Sequence, residues 1–263
     1  MKVAFLQTSP LFGKVRENVE KAIRRINAID AELVVLPELF STGYQFRSKK
    51  EALEFSEDAS TGYASSRLIE AAKAKKMHIV AGVAERAGNR AYNSCVLVGP
   101  RGLAGVYRKA HLFWNEKKIF AQGDTPLNVY NIGKARVGMM ICFDWIFPEV
   151  SRTLALKGAD IICQPSNLVL PYCPQAMITR SIENRVFTIT ANRVGVESRV
   201  KGSALEFIGS SQIVSPTGAV ICRAGGKREE AKVANIEPKD ARDKNITPLN
   251  HIMKDRRVDI FEI

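Results

Sequence analysis

The chain has 263 residues, of which 46% are hydrophobic and 25% charged, and its net charge is +12. This composition is typical of a globular protein with a substantial core and excludes a disordered chain. No stretch approaches the 18 or more apolar residues that a membrane-spanning helix needs, and the apolar run at the N-terminus is too short for a signal peptide. We therefore expect a cytoplasmic protein without a membrane partner.

The positive charge raises nucleic-acid binding as an alternative. The basic residues, however, fall in short clusters such as KAKKM and KDRR, mixed with Asp and Glu, and no nucleic-acid-binding module accompanies them. We expect a solvated basic surface and no nucleic-acid partner. The richness in Lys, Arg and Glu also points to a thermophilic source. Five widely spaced cysteines and three scattered histidines indicate free thiols rather than disulfides or a zinc site.

The N-terminal half alternates strands and helices. KVAFLQT and LVVL, which ends at Pro37, are typical of buried strands, and GKVRENVEKAIRRINAIDA between them has apolar residues at helical spacing. A strand, a helix and a strand in succession predict two neighbouring parallel strands. A second helix is expected at ASSRLIEAAKAKKM, followed by three strands at HIVAGVAE, AYNSCVLVGP and LAGVYRK.

The C-terminal half is predicted to contain strands and helices as well, after a structured loop at residues 110–126. Strands are expected at LNVYNI, ARVGMMIC, DIICQPS and TITANRVG, and helices at PEVSRTLALKGA and CPQAMITRSIENRVF. Three further strands, SSQIVSP, GAVICRA and AKVANIE, precede a short helix and a basic end. Because no linker or repeat interrupts the chain, we expect one α/β domain over residues 1–263 with helices covering the sheets.

Three polar residues follow apolar runs at the points where strands are predicted to end. Glu38 follows LVVLP, Lys109 follows LAGVYR and Cys142 follows VGMMI. The carboxyl ends of strands in α/β folds converge on the ligand site, so these side chains are expected in one pocket. A free thiol is mostly protonated at neutral pH and needs a base. Glu38 would take its proton, and Lys109 would stabilise the oxyanion formed when the sulfur attacks a carbonyl.

Two other interpretations compete with this one. Cys142 by itself is compatible with a core position, because cysteine is among the most buried residue types. His111, two residues beyond Lys109, would be the base of a Cys–His pair, but it opens the apolar stretch HLFW and no Asn or Asp to orient it is evident. We expect a structural or substrate-loop role for His111.

The motifs LPELFSTGY around Glu38, YRKAHLF around Lys109 and CFDWIFPE around Cys142 resemble those of the nitrilase superfamily, the carbon–nitrogen hydrolases. The resemblance covers nearly the whole chain. It implies a four-layer α-β-β-α sandwich of two mixed sheets with outer helices. It also implies a homodimer or larger homo-oligomer, with the C-terminal tail, about residues 245–263, packing on a partner subunit.

The resemblance implies a role for each motif residue. Glu38 looks like the general base, Lys109 the oxyanion-stabilising residue and Cys142 the nucleophile. Glu116 stands where the family often has a second glutamate that positions substrate and assists proton transfer. The backbone N–H of Phe143 would complete the oxyanion hole.

The same analogy predicts that the pocket is shaped by Tyr44, Trp145, Asn167 and the loop LVLPYCP. Trp114 is expected at its rim, and Cys173 on a loop near it. The other three cysteines are expected to be packing residues within strands: Cys95, Cys163 and Cys222.

The predicted activity is hydrolysis of non-peptide carbon–nitrogen bonds, without metal or organic cofactor. Within the family a nitrilase usually carries Trp-Glu after the cysteine, whereas an amidase more often carries an aromatic or small residue and then Asp. Phe143 and Asp144 therefore favour an amidase of small aliphatic amides. A nitrilase of small nitriles and an N-carbamoyl amine amidohydrolase remain alternatives. A basic binding protein that has lost catalysis is the alternative from another class.

Overall fold

The computed structural model of the protein describes residues 1–260, which form two mixed β-sheets flanked by helices. The strands are β1 (Lys2–Gln7), β2 (Leu33–Val35), β3 (His78–Ala87), β4 (Arg90–Gly99), β5 (Gly102–Arg108), β6 (Val129–Asn131), β7 (Arg136–Met139), β8 (Ile161–Pro165), β9 (Phe187–Ala191), β10 (Val194–Val200), β11 (Ser203–Ile208), β12 (Gln212–Val214), β13 (Val220–Arg223), β14 (Glu230–Asn235), β15 (Asn245–Thr247) and β16 (Asn250–His251). The α-helices are α1 (Val15–Ala28), α2 (Lys49–Phe55), α3 (Tyr63–Lys75), α4 (Glu116–Ile119), α5 (Pro148–Leu156) and α6 (Cys173–Asn184). Two short 3₁₀ helices lie at Cys142–Ile146 and Pro238–Ala241.

The two large sheets have the same kind of topology. The first has the strand order β14-β1-β2-β3-β4-β5 and the second has the order β13-β12-β9-β8-β7-β6. Strands β1, β2 and β3 are parallel, as are β7, β8 and β9, while the flanking strands run antiparallel. The parallel pair predicted from the N-terminal strand–helix–strand unit is therefore confirmed.

Strand β1 shows why several strands have no polar face. Val3 and Phe5 point into the core between the two sheets, whereas Ala4 and Leu6 pack in the cluster that lies under the helices of the first sheet. A strand buried on both faces has no solvated side, so its sequence is an apolar run instead of an alternating pattern.

The helices cover the outer faces of the sheets. Val19, Ile23 and Ile26 of α1 are buried in one cluster with residues of the first sheet, and burying a side chain of this size stabilises the fold by about 1.5–3 kcal/mol. Helix α3 packs beside α1, while α5 and α6 pack on each other and α6 packs on β9 of the second sheet. The predicted four-layer α-β-β-α sandwich is confirmed.

Several local elements differ from the sequence prediction. The stretch expected as a loop at residues 110–126 contains α4, and TITANRVG forms parts of two strands, β9 and β10, instead of one. The prediction contains neither α2 nor the β10–β11 hairpin. Both elements bury few residues: in α2 only Ala52 is buried, and most of β11 is half-buried or exposed. Elements that contribute so little to a core carry little hydrophobic periodicity.

The C-terminal segment of the described chain forms the small β15–β16 hairpin. Met253, just beyond it, packs against the cluster of buried apolar residues that includes α5 and α6, and its sulfur lies 3.3 Å from Arg152 Nη1 of α5, while Leu249 is 91% exposed. The expected packing of residues 245–263 on a partner stays a prediction, and its last positions, 261–263, lie outside the described residues. Within residues 1–260, no helix has the length and apolar character to cross a membrane.

Candidate active site

Glu38 lies three residues beyond β2, in a loop that crosses closely over β3. The Phe40 N–H donates to the Gly82 carbonyl at 3.0 Å, and the Gly82 N–H donates to the Pro37 carbonyl at 3.1 Å. A Cβ atom at Gly82 would lie only 2.4 Å from the Cα of Glu38. The absence of a side chain at position 82 therefore allows the loop to hold Glu38, which is fully buried, against the sheet.

Lys109 directly follows β5, and its ammonium group joins two buried carboxylates. Lys109 Nζ lies 2.7 Å from Glu38 Oε1, and 2.7 and 2.8 Å from Glu116 Oε2 and Oε1. Glu116, the first residue of α4, also accepts hydrogen bonds from the Tyr44 hydroxyl at 2.6 Å and the Phe113 N–H at 3.1 Å. The structure thus brings Glu38, Lys109 and Glu116 into one network.

Cys142 stands at a sharp turn between β7 and α5. Its φ of 43° lies in the left-handed region that residues other than glycine rarely adopt. The turn is the 3₁₀ helix that begins at this cysteine. The Cys142 carbonyl accepts a hydrogen bond from Gln164 Nε2 at 3.0 Å, and the Ile141 N–H donates to Asp144 Oδ2 at 2.9 Å. Backbone strain held in this way is typical of turns that present a reactive side chain.

The charges around the cysteine decide its protonation. Burial and the Glu38 carboxylate raise the pKa of Cys142 well above its ordinary value, although Lys109 opposes the rise. Burial lowers the pKa of Lys109, but Glu116 and Glu38 outweigh it, and the pKa is raised overall. At neutral pH the resting site therefore contains a protonated thiol and a protonated lysine. Within residues 1–260, no group of His, Cys, Asp and Glu side chains is arranged to hold a metal ion.

The two oxygens of Glu38 have different surroundings. Oε1 accepts hydrogen bonds from Lys109 and, at 2.6 Å, from Asn93 Nδ2. Oε2 is buried and has no hydrogen-bond partner among the described residues. A buried carboxylate oxygen without a partner is costly, and it is available to receive a proton from a group that enters the site.

Asp144 connects the cysteine turn with the loop after β5. It is fully buried, accepts from the Tyr107 hydroxyl at 2.8 Å and from the His111 N–H at 3.1 Å, and faces His111 Nδ1 at 2.8 Å. The expectation that no acidic residue orients His111 is therefore wrong, because the two residues meet only through the fold. The His111 ring also stacks on Phe147, with centroids 3.6 Å apart, which agrees with a structural role.

The predicted pocket residues divide between two small cavities. Tyr44 lines a cavity of about 30 Å³ together with Glu116 and Trp114, whose side chain is more than half exposed. The other cavity contains the cysteine and has a volume of about 20 Å³. It is lined by Phe113, Cys142, Phe143, Trp145, Asn167, Leu168, Val169 and Leu170.

The predictions for Phe143 and for the other cysteines are confirmed only in part. The Phe143 ring packs 5.0 Å from that of Phe113, while the role of its N–H toward an oxyanion stays a prediction. Cys95 and Cys163 are buried within strands as expected, whereas Cys222 is only half-buried. Cys173 is not on a loop: it is the first residue of α6, buried beside the side chain of Gln164.

Three positioning residues were beyond the sequence prediction: Gly82, Asn93 and Gln164. Gln164 and Asn93 are buried polar side chains inside strands. A polar residue within an apolar run is the signal that marks such positions. It does not say which partner the residue serves, because Glu38 and Cys142 lie far from them in sequence.

Comparisons with known proteins agree with this geometry. The profile of the family described as carbon-nitrogen hydrolase matches residues 2–245. A protein named nitrilase from Pyrococcus abyssi is 47% identical over 264 residues, which cover 99% of both chains. A protein named (R)-stereoselective amidase from a Pseudomonas species is 34% identical over 88% of this chain and 83% of its own.

A solved structure is similar over the same extent. The crystal structure of a carbon-nitrogen hydrolase from Helicobacter pylori G27 has a TM-score of 0.88, with 26% identity, over 99% of this chain and 96% of that chain. Both the fold and the family profile extend over nearly the full sequence. The chain therefore belongs to the carbon–nitrogen hydrolases of the nitrilase superfamily and is an enzyme that hydrolyses carbon–nitrogen bonds.

Proposed function

We propose that this enzyme is an amidase that converts small aliphatic amides to a carboxylic acid and ammonia through a thioester on Cys142. The observation that carries the proposal is the oxygen Oε2 of Glu38, which is buried without a partner among the described residues. It belongs to the same site as a thiol whose raised pKa keeps it protonated. A base so placed can take the thiol proton at the moment of attack.

The acylation half of the reaction then follows. Cys142 Sγ attacks the amide carbonyl carbon while its proton passes to Glu38 Oε2, and the carbonyl oxygen becomes an oxyanion. Glu38 then delivers the proton to the nitrogen, the carbon–nitrogen bond breaks, and ammonia leaves. The enzyme is left as a thioester with Glu38 again ionised.

Hydrolysis of the thioester uses the same groups. Glu38 takes a proton from water as the water oxygen attacks the thioester carbon. When the second tetrahedral intermediate collapses, the carbon–sulfur bond breaks and the proton returns to the sulfur of Cys142. The carboxylic acid leaves, and the net reaction consumes one amide and one water and yields one acid and one ammonia.

Lys109 and the Phe143 N–H are proposed to stabilise the oxyanion in both halves. The raised pKa of Lys109 keeps it cationic throughout the working pH range, and a fixed positive charge in a water-poor site stabilises developing negative charge far better than it would in water. Glu116 holds the lysine from the side opposite Glu38, with three donors on its own carboxylate: Lys109, Tyr44 and the N–H of Phe113.

Small substrates are favoured by the volume of the site. The cavities at Cys142 and at Tyr44 measure about 20 and 30 Å³, and about 10–15 Å³ already holds a water molecule. Each cavity therefore has room for only one or two water-sized groups, which favours a substrate with a short acyl chain. The presence of Phe143 and Asp144 after the cysteine, instead of Trp-Glu, supports an amide over a nitrile.

Hydrolysis of small nitriles is the second candidate, because the relative with 47% identity is named nitrilase. The same thiol would attack the nitrile carbon, and two waters would be consumed to give the acid and ammonia. N-carbamoyl amines present a carbonyl to the same groups and belong in the same substrate panel.

The test is ammonia release from matched substrates such as propanamide and propanenitrile, and from an N-carbamoyl amine. We expect the amide to give the highest kcat/KM, and Cys142→Ala to lower it by at least about 10⁴-fold while the protein remains folded. A trapped acyl adduct on Cys142, detected by intact mass spectrometry, would identify the nucleophile. Release that persists in Cys142→Ala would contradict the mechanism.

A further inference from the structure

The side-chain amide of Asn167 is buried without partners. The residue is 3% exposed, and neither Oδ1 nor Nδ2 has a hydrogen-bond partner among the described residues. The backbone on both sides is well held, since the Ser166 N–H donates to the Ala191 carbonyl and the Leu168 N–H donates to Asn192 Oδ1, both at 2.8 Å. Buried amides are normally paired, so this one is poised for a group that arrives from outside.

The cavity beside Asn167 is the one that contains Cys142. Its other side chains are apolar or aromatic, with no charged group among those that line it. The volume of about 20 Å³ has room for one water-sized group. A ligand that fills it would therefore offer Asn167 one small, neutral partner close to the reacting sulfur.

We propose that Asn167 determines specificity by binding a hydroxyl group on the carbon next to the one that Cys142 attacks. The preferred substrates are then small 2-hydroxy amides, an inference that rests on the amidase function proposed above. A hydroxyl both donates and accepts, which matches Oδ1 and Nδ2 of the amide. An ammonium or carboxylate in the same place would be buried without a countercharge.

A methyl group in the hydroxyl position would leave the amide of Asn167 unpaired and exclude water from it. Sites that bind a substrate hydroxyl discriminate against the analogue that lacks it for this reason. The preference is expected in kcat/KM, because the contact is made in both the ground state and the transition state.

The experiment compares 2-hydroxypropanamide with 2-methylpropanamide, which place a hydroxyl and a methyl group at the same position. We expect the unmodified enzyme to favour the hydroxy amide by about tenfold or more in kcat/KM. Equal values, or a preference for the methyl compound, would overturn the inference while leaving the amidase function intact. Absence of ammonia release from both, and from propanamide, would overturn the amidase function and this inference with it.

A variant separates specificity from structure. Asn167→Leu keeps the number and branching of the side-chain heavy atoms and removes both polar atoms, so the ratio of the two kcat/KM values should fall to unity or reverse. Its Tm should not decrease, because no hydrogen bond of the amide is lost. Val169→Ala, in the same cavity, should keep the preference for the hydroxy amide. The inference would be overturned if Asn167→Leu kept the preference for the hydroxy amide, lost kcat/KM equally on both amides and had a lower Tm. Such a result would show that Asn167 has a structural role. If this variant does not fold, the comparison with the unmodified enzyme decides alone.

Discussion

At the scale of single residues, the site combines an acid, a base and a cation that would each be unstable alone. Three ionisable side chains, Glu38, Lys109 and Glu116, are removed from water, and each of the two carboxylates lies within 2.8 Å of the lysine ammonium. Such a group tolerates burial only when its members are paired. One carboxylate oxygen is left over, and it is the one that the proposed mechanism uses.

The resting state of Cys142 gives a direct prediction. Because burial and Glu38 raise its pKa well above the ordinary value, no thiolate should form between pH 5 and 9. The absorbance near 240 nm that reports thiolate should show no step in this range when the protein is compared with Cys142→Ser. A step between pH 5 and 7 would indicate a stable thiolate–cation pair, and proton transfer before substrate binds.

Asn93 should act as a positioning residue for Glu38. Asn93→Ala removes the hydrogen bond to the Glu38 carboxylate, and a hydrogen bond to a charged group is worth about 1.5–3 kcal/mol. We expect the activation free energy to rise by this amount, which lowers kcat about ten- to a hundredfold with little change in KM. Steady-state kinetics of Asn93→Ala and of the control Asn89→Ala, on the exposed turn between β3 and β4, would measure it. A rise in KM with unchanged kcat would show instead that Asn93 serves substrate binding.

At the scale of elements, each reactive residue sits just beyond a strand, but the strands alone do not bring them together. Contacts between loops and neighbouring elements bring these residues together. One of them is the close backbone contact where the Glu38 loop crosses β3 at Gly82. A second contact is made by the side chain of Asp144, which joins the cysteine turn to Tyr107 of β5 and to His111 in the loop after it. The site therefore depends on loop packing as much as on the sheet.

Gly82→Ala tests the first of these contacts. The added Cβ would lie 2.4 Å from the Cα of Glu38, so the loop must move, at a cost of about 1–3 kcal/mol in stability. We expect kcat to fall more than tenfold, because Glu38 moves with the loop. Gly88→Asn is the control, since its turn is open to solvent and asparagine tolerates the left-handed φ. Kinetics and thermal melts of both variants would show whether the effect is specific to position 82.

At the scale of the whole molecule, one core lies between two sheets that each contribute its apolar residues. This shared core supports the prediction of one domain over residues 1–263. Calorimetry should then show a single cooperative transition. The predicted thermophilic source leads us to expect a Tm above the mesophilic range of about 45–65 °C. Two separated transitions would contradict the single domain, and a Tm within that range would contradict the thermophilic origin.

The predicted homo-oligomer belongs to the same scale. Leu249 and Ile246 in the C-terminal hairpin are 91% and 55% exposed, and exposed apolar side chains of this kind are suited to an interface. Light scattering should give at least twice the chain mass of 29.1 kDa, and Leu249→Lys with Ile246→Lys should shift the mass toward the monomer. Leu11→Lys, at a position whose exposed fraction of 54% is close to that of Ile246, should not change the mass. A monomeric unmodified protein would contradict the prediction.

The sequence by itself determined the alternation of strands and helices, because buried strands leave apolar runs and helices with an apolar stripe leave a helical period. The four-layer sandwich and the roles of Glu38, Lys109 and Cys142 were implied by the resemblance of three motifs to the nitrilase superfamily. The elements that bury little, such as α2 and the β10–β11 hairpin, left no such pattern. Only the tertiary structure decided the remaining contacts: the orientation of His111 by Asp144 and the unpaired amide of Asn167. Each depends on groups from different parts of the chain, and hydrophobic periodicity carries no information about which distant segments will meet.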